Sequence, residues 1–325
     1  ATVYGFRASN GVVLVTTKKG RKGQKNDVSV SSYYGLQNVT RYPSASNAGD
    51  YVRALAEAEQ NDNALQRTVT AEMIEKWKAG TEPGFQGTNY RDYIIQKNAP
   101  QKYLNLNTSG ASDNIGYYLS LGHLNQDAVL KDYNFKRSNF QANMEGTVLK
   151  DIKIGAQLSG RIESRHNVAS TTTGNTFDNP FLAILTMWPT ERLYANDNPN
   201  YINADINNPL RNPLLYDEDI VGAEDNVWNN FAGIFYASFK FPLGFSAKAT
   251  YSYNYKQNKN ELQRKNFNTY TYVSSTDTYR PLAFNLGLRN KLRLETKENF
   301  AQFQLNYQKS LGEHAISALG AFEYA

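Results

Sequence analysis

Cysteine is absent from the 325 residues, which removes disulfides, thiolate metal sites and thiol catalysis from consideration. Only three histidines occur, His123, His166 and His314, and their separation does not match metal-ligand spacing. No run of about 18 apolar residues exists, so no segment reads as a membrane-spanning helix. The hydrophobic share is 40%, below the roughly 45–50% of ordinary globular chains. Disorder does not follow from this shortfall, because 23 Tyr and 16 Phe bring the aromatic share to 13% and disordered chains are poor in such residues. The charge balance is slight, 35 Lys+Arg against 30 Asp+Glu. A mean hydropathy of −0.61 alongside so many aromatics fits strands with one side toward lipid and the other toward a wet lumen.

Near the start, Asn10-Gly11 signals a turn, and Val12 to Thr17 form a β-branched run that predicts a strand buried on both faces. Lys18, Lys19, Arg21, Lys22 and Lys25, separated by Gly20 and Gly23, read as a basic linker. No aromatic interleaves this run to stack on bases, so nucleic acid is not the expected partner. Gly5 and Gly11 lack phosphate-loop spacing and read as turn glycines. The first residues show no basic or apolar leader, and the last ones stop inside an alternating segment. The expectation is therefore a fragment lacking both ends.

Past the linker, segments of about ten residues alternate with period two, the length a tilted strand needs to cross a bilayer. The clearest sets Phe245, Ala247, Ala249, Tyr251, Tyr253 and Tyr255 against Ser246, Lys248, Thr250, Ser252, Asn254 and Lys256. Others are Ile152, Ile154, Ala156, Leu158 and Ile162 against Lys153, Gln157, Ser159, Arg161 and Glu163, and Ala301, Phe303, Leu305 and Tyr307 against Gln302, Gln304, Asn306 and Gln308. Weaker alternation covers 28–39, 103–111, 115–124, 135–149, 231–241 and 315–324, giving about nine strands. Their connections alternate in length. Short turns fall at 112–114, 150–151, 242–244 and 311–313, and long connections at 40–102, 125–134, 164–230 and 257–299. Outer-membrane barrels show this asymmetry, with short periplasmic turns and long outer loops.

The first long connection is expected to hold helices, one capped by Ser46 with Tyr51, Val52, Leu55 and Ala58 on one side. Another is capped by Thr70 with Met73, Ile74 and Trp77 before Gly80. The third carries Asn179-Pro180, Trp188-Pro189, Asn198-Pro199 and Asn212-Pro213, read as fixed turns. On or beside it lie Trp188, Tyr194, Tyr201 and Trp228, the candidate substrate or partner contacts, with loop packing as the simpler role. Asp217, Glu218, Asp219, Glu224 and Asp225 are the best oxygen cluster for a hard cation. They lack the calcium-loop pattern and read as a solvated acidic loop. No nucleophile–base or paired-carboxylate arrangement stands out, so the expectations are no catalytic residue, no cofactor, no metal and no enzyme.

Three stretches carry a resemblance. The first, Ala1-Thr-Val-Tyr-Gly-Phe-Arg-Ala-Ser-Asn-Gly-Val-Val-Leu-Val-Thr-Thr-Lys-Lys-Gly20, resembles the plug-domain ending of SusC/RagA-like TonB-dependent outer-membrane transporters of Bacteroidota. The second, from Asn105 to Gln126, resembles an early barrel hairpin of that family, and the third, from Phe135 to Asn143, its next strand. The resemblance implies an all-β fold, an antiparallel transmembrane β-barrel of which about nine of roughly 22 strands are present. Residues 1–19 would be the end of the plug, 20–27 a linker and 28–325 the N-terminal part of the barrel.

What the resemblance further implies is nutrient import across the bacterial outer membrane. A SusD-like surface lipoprotein would deliver an oligosaccharide or peptide ligand, and the TonB complex would act through the missing N-terminal part. Lipid would surround the wall. The rival expectation is a surface-exposed β-rich adhesin or glycan-binding module without transport, whose strands bury their apolar sides in a sandwich.

Overall fold

A computed structural model describes residues 18, 20, 25–42, 46–62, 68–170, 179–204, 210, 212–312 and 314–325. The strand expected at Val12 to Thr17 and most of the basic linker lie outside the described residues. Among the described residues eleven strands are present: β1 (Asp27–Gln37), β2 (Ala99–Ala111), β3 (Ile115–Asp127), β4 (Asn134–Leu149), β5 (Ile152–Val168), β6 (Gly222–Lys240), β7 (Phe245–Arg264), β8 (Phe267–Val273), β9 (Thr278–Asn285), β10 (Leu288–Leu311) and β11 (His314–Tyr324). Nine of them make one antiparallel sheet in the order β1-β2-β3-β4-β5-β6-β7-β10-β11, and β8 and β9 form a separate hairpin. Among the described residues β1 and β11 are the sheet's free edges. No described helix is long and apolar enough to cross a membrane.

Register converts the alternation into two continuous surfaces, because residues directly opposite in antiparallel strands share a side. One row runs Leu106, Leu121, Phe140, Gly160, Phe231, Tyr255, and a second runs Met144, Ala156, Phe235, Tyr251, Ala301, Tyr324. The opposite surface carries rows such as Asn107, Ser120, Gln141, Ser159, Ala232, Asn254, Glu298. Leu106, Leu121, Phe140, Ile154, Ile162, Phe235, Phe303 and Phe322 are all solvent-exposed. Each such side chain removed from water contributes about 1.5–3 kcal/mol, so this surface favours hydrocarbon over water as its neighbour. It is the lipid side, and the amide- and hydroxyl-bearing surface is the lumenal side.

The strands run further than the alternation predicts. Residues 257–264, 288–299, 164–168 and 222–230 are strand and not loop, and the fourth long connection contains the β8–β9 hairpin. The reason lies in solvent. At 3.2–3.4 Å per residue, the 24 residues of β10 span roughly 75–80 Å, whereas about 10 residues cross the hydrocarbon. On the outer side of β10 the apolar residues Ala301, Phe303, Leu305 and Tyr307 give way to Arg289, Lys291, Arg293, Glu295 and Lys297. Above the bilayer both sides are wet, so polarity stops alternating while the backbone ladder continues.

The four short turns all lie at one end and the four long connections at the other. The first long connection folds into α1 (Ala48–Asn61), α2 (Ala71–Ala79) and α3 (Arg91–Ile94); the first two are the helices its periodicity predicts, with two corrections, and α3 is an addition. Asn47, not Ser46, caps α1, its side-chain oxygen accepting from the Asp50 N–H at 2.8 Å. The buried side of α1 is Ala48, Gly49, Val52 and Ala56, while Leu55 is exposed, because the helix packs its small residues against α2. Thr70 does cap α2, accepting from Met73, and Gly80 ends it at φ 61°, a left-handed conformation that needs no Cβ.

The facing assignment predicts unequal effects of charge in the assembled outer-membrane protein. Tyr251→Arg, on the lipid side, should cost roughly 2–4 kcal/mol near mid-bilayer and reduce the heat-modifiable barrel band on gels. Thr250→Arg, on the lumenal side, should leave that band near the wild-type level. Equal losses would reverse or void the assigned sides.

Candidate functional site

The long-loop end is a packed layer built by asparagine caps. In the third connection Asn179 caps α4 (Pro180–Thr186) by accepting from Phe181 and Leu182, with Pro180 at the first helical position, where its missing N–H costs nothing. Asn212 does the same for the 3-10 turn Pro213–Tyr216, accepting from Leu214 at 3.0 Å. It is buried, and its amide donates to the carbonyls of Leu193 and Asn203, both at 2.9 Å, so one side chain pins three parts of the connection. Asp217 caps α5 (Glu218–Val221) through Asp219. The Asn-Pro pairs read as turns are therefore largely helix starts.

The long connections then interlock. Tyr90 and Ile94 of the first connection are buried, and Tyr90 packs with Ala183, Met187 and Tyr216 of the third. The Tyr42 hydroxyl donates to the Phe181 carbonyl at 2.6 Å, and the Arg91 guanidinium lies 5.6 Å from the Tyr42 ring centre. Between the first and second connections, Lys131 N–H donates to the Ile94 carbonyl and Gln96 N–H to that of Val129. Leu215 and Val221 pack on Val168 with Tyr133, Ile202 and Phe267, which joins the third connection to β5 and to the hairpin. A crevice of about 280 Å³ remains between Asn47, Thr88, Asn89, Arg91, Met187 and Pro189.

The four aromatic candidates separate in this setting. Trp188 stacks on Tyr51 of α1, with ring centres 6.3 Å apart. Tyr201 is sandwiched by the hairpin, parallel to Tyr279 at 3.9 Å and edge-on to Tyr270 at 4.9 Å. Tyr194 pairs by its backbone with Ile202. Trp228 is not on the connection at all. It sits within β6, opposite Glu163 and Asn258, and faces the lumen. Polar residues on both sides of 222–230 leave that stretch without the period-two contrast of a lipid-facing strand.

The acidic residues of 217–225 are individually engaged, not gathered around a cation. Lys131 bonds Asp217 at 2.5 Å, the Lys265 ammonium donates to the Asp219 carbonyl at 3.0 Å, and Asn260 donates to Glu224 at 2.6 Å. Among the described residues no group of three or more metal-type side chains forms. His166, on the outer side of β5 above the apolar belt, bonds Asp225 through Nδ1 at 2.8 Å and Glu218 of α5 through Nε2. Burial opposes its charged form, but the two carboxylates together outweigh burial and raise its pKa above the usual histidine value. His123 bonds Ser138 at 2.9 Å.

Two apolar grooves on the lipid side, about 840 Å³ around Met144, Ile154, Phe235 and Phe303 and about 640 Å³ around Leu106, Leu121, Phe140 and Ile162, face hydrocarbon and are not ligand sites. The lumenal side has different chemistry. Asn105, Asn107, Asn139, Gln141, Asn143 and Asn254 present carboxamides that both donate and accept. The chain preceding β1 reaches this side. Asn143 donates to the Lys18 carbonyl at 2.7 Å, and Gly20 lies so close to the β2–β3 backbone that a Cβ on it would meet the Gly110 carbonyl oxygen at 2.1 Å.

The comparisons follow this geometry. No family model matches the chain. It is 26% identical over 333 residues to TonB-dependent receptor P26 of Formosa agariphila, covering 99% of this chain and 30% of that protein. A second receptor of that organism, P3, is 25% identical over a similar extent, and SusC of Bacteroides thetaiotaomicron is 27% identical over 202 residues. The RagAB peptide importer in its closed-closed state matches with a TM-score of 0.67 at 20% identity, over 99% of this chain and 37% of that one. In sequence the chain resembles SusC and the TonB-dependent receptors, and in fold the RagAB importer. Its open sheet is the same kind of wall as an outer-membrane TonB-dependent barrel, and it spans about 30% of the length of the two Formosa agariphila relatives. The names of these relatives are those of receptors, in agreement with a non-enzymatic reading.

The His166 clasp predicts pH dependence. A raised folded pKa means its contribution is complete below the ordinary value of about 6.5 and is lost as pH rises through the folded value. Protease cleavage near 217–221 should be several-fold faster in His166→Gln than in the parent protein at pH 6, with the two rates converging at pH 8.5. A ratio independent of pH would remove the clasp.

Proposed function

We propose that this chain is a wall section, with its outer loops, of a TonB-dependent importer for an oligosaccharide or peptide. The observation that carries the reading is the two-sided sheet, apolar outward and amide-lined inward, in a chain whose relatives are TonB-dependent receptors. In this reading residues 1–19 end a plug, 20–27 link it to the wall, and 28–325 are the first part of the barrel. The position of Lys18 and Gly20 against the lumenal surface supports it. A peptide ligand draws support from the likeness to the RagAB peptide importer, and an oligosaccharide from the carboxamide lining, which matches hydroxyl arrays.

The loop layer is the docking face for a SusD-like lipoprotein, and the TonB complex acts through the N-terminal part of the longer protein. Tyr194 and Trp228 contact ligand or partner directly. Trp188 and Tyr201 contribute by holding the layer in shape, since a preordered loop loses less entropy on binding. A soluble adhesin is less well supported, because it would bury the exposed apolar surface in a second sheet, and no second layer covers it among the described residues.

In the full-length protein, disabling the energising complex should reduce uptake of its ligand to background. Tyr194→Ala and Trp228→Ala should each weaken ligand capture or lipoprotein co-purification by about 2- to 10-fold, the value of one lost aromatic contact. Barrel assembly should persist. Unchanged capture and co-purification would exclude these residues, and uptake without an energised membrane would exclude TonB-dependent import.

A further inference from the structure

The lumenal wall carries a feature that import alone does not require. Two adjacent rows near the long-loop end run Leu124, Arg137, Glu163, Trp228, Asn258 and Gln126, Phe135, Arg165, Asn226, Asn260. Arg165 lies directly opposite Phe135 and diagonal to Trp228. Its guanidinium carbon is 5.0 Å from the Trp228 ring centre and 5.8 Å from that of Phe135. The one carboxylate within this group, Glu163, is committed to Arg161 at 3.5 Å. Among the described residues neither Arg137 nor Arg165 makes an ion pair, and Arg165 remains exposed to the lumen. Counting Arg161 one row to one side and Glu224 one row to the other, three guanidiniums face two carboxylates, Glu163 engaged by Arg161 and Glu224 by Asn226 and Asn260.

A guanidinium held over aromatic rings uses its faces for the ring contact and leaves its N–H edge free, the edge that recognises carboxylate and sulfate oxygens in bidentate fashion. Two rings fix its position, so little side-chain entropy is lost when an anion arrives. The flanking carboxamide of Asn258 adds a neutral donor, whereas Asn226 already donates to Glu224 and Asn260 to Glu224 and Asn226.

We propose that Arg165, assisted by Arg137 and positioned by Trp228 and Phe135, is an anion-recognition point on the lumenal wall for a carboxylate or sulfate group of the passing ligand. The inference rests on the import reading for the ligand's arrival, but its test needs no transport. In the purified full-length protein the Trp228 fluorescence, isolated by subtraction of a Trp228→Phe variant, is quenched with iodide and with caesium. Iodide should quench it several-fold more effectively, and Arg165→Gln with Arg137→Gln should bring the two ions close together. Arg165→Lys should keep the preference for iodide but lose protection by a bound carboxylate.

Trigalacturonate and triglutamate then serve as competing probes, with their methyl-ester and triglutamine counterparts as neutral controls. Protection by the sugar acid alone or the acidic peptide alone supports the site and names the source. Equal quenching by iodide and caesium, an iodide preference that survives the double Gln variant, or protection by neither acid overturns it. Anion preference in a protein whose uptake proves independent of TonB would keep this site and remove the import reading; the reverse result would do the opposite.

Discussion

Hydrocarbon offers a peptide group nothing to bond to, and most of this molecule's form follows from that fact. Each backbone N–H and C=O inside the bilayer must be answered by a neighbouring strand. The sheet meets this demand by pairing every strand with the next in sequence, bridging only the β8–β9 hairpin. Once pairing is fixed, side chains have no further freedom of direction. A slip of one residue would turn Phe235 and Tyr251 toward water and Tyr236 and Thr250 toward lipid, so the apolar belt locks the register as firmly as the hydrogen bonds do. The same demand explains why β1 and β11 cannot end the wall in lipid: an exposed edge there would leave a column of unanswered groups.

Outside the bilayer, water takes over as partner, and the structure changes its means of order. The connections have no common sheet, so they rely on short local devices: an Asn cap, a Pro at the first helical position, a buried amide such as Asn212 serving several carbonyls. Aromatic contacts between connections do the remaining work, as with Tyr201 between the rings of the hairpin. The result is a layer whose parts hold one another. Residues that look like ligand contacts in isolation, Trp188 and Tyr201 among them, are largely occupied in that mutual support.

Sequence legibility tracks solvent in the same way. Wherever one side of a strand meets lipid, period-two alternation is strong, and the nine sheet strands and their short turns could be read directly. Where both sides are wet the signal vanishes, which is why residues 257–264 and 288–299 read as loop although they continue the ladder. The β8–β9 hairpin was legible in principle, since Thr269, Tyr270, Thr271, Tyr272 and Val273 are strong strand formers before a turn. Its lack of an apolar side concealed it. Trp228 was a visible aromatic in an invisible strand. The pairing of Arg165 with Phe135 and Trp228 depends on register across three strands, which a single sequence does not display.

The direction of the ladder also gives the wall a mechanical character. Antiparallel bonds lie perpendicular to the strands, so a tug along β1 from its first residue, Asp27, loads the 11 registered pairs with β2 together, in shear. The described residues ahead of it are held differently, by an attachment of separate side-chain bonds, Asn143 to the Lys18 carbonyl and the Tyr117 hydroxyl to the Asn26 side chain. Such an attachment peels, whereas a sheared ladder resists as a unit. A pull along β1 is therefore shared across the sheet, which answers it as one rigid frame.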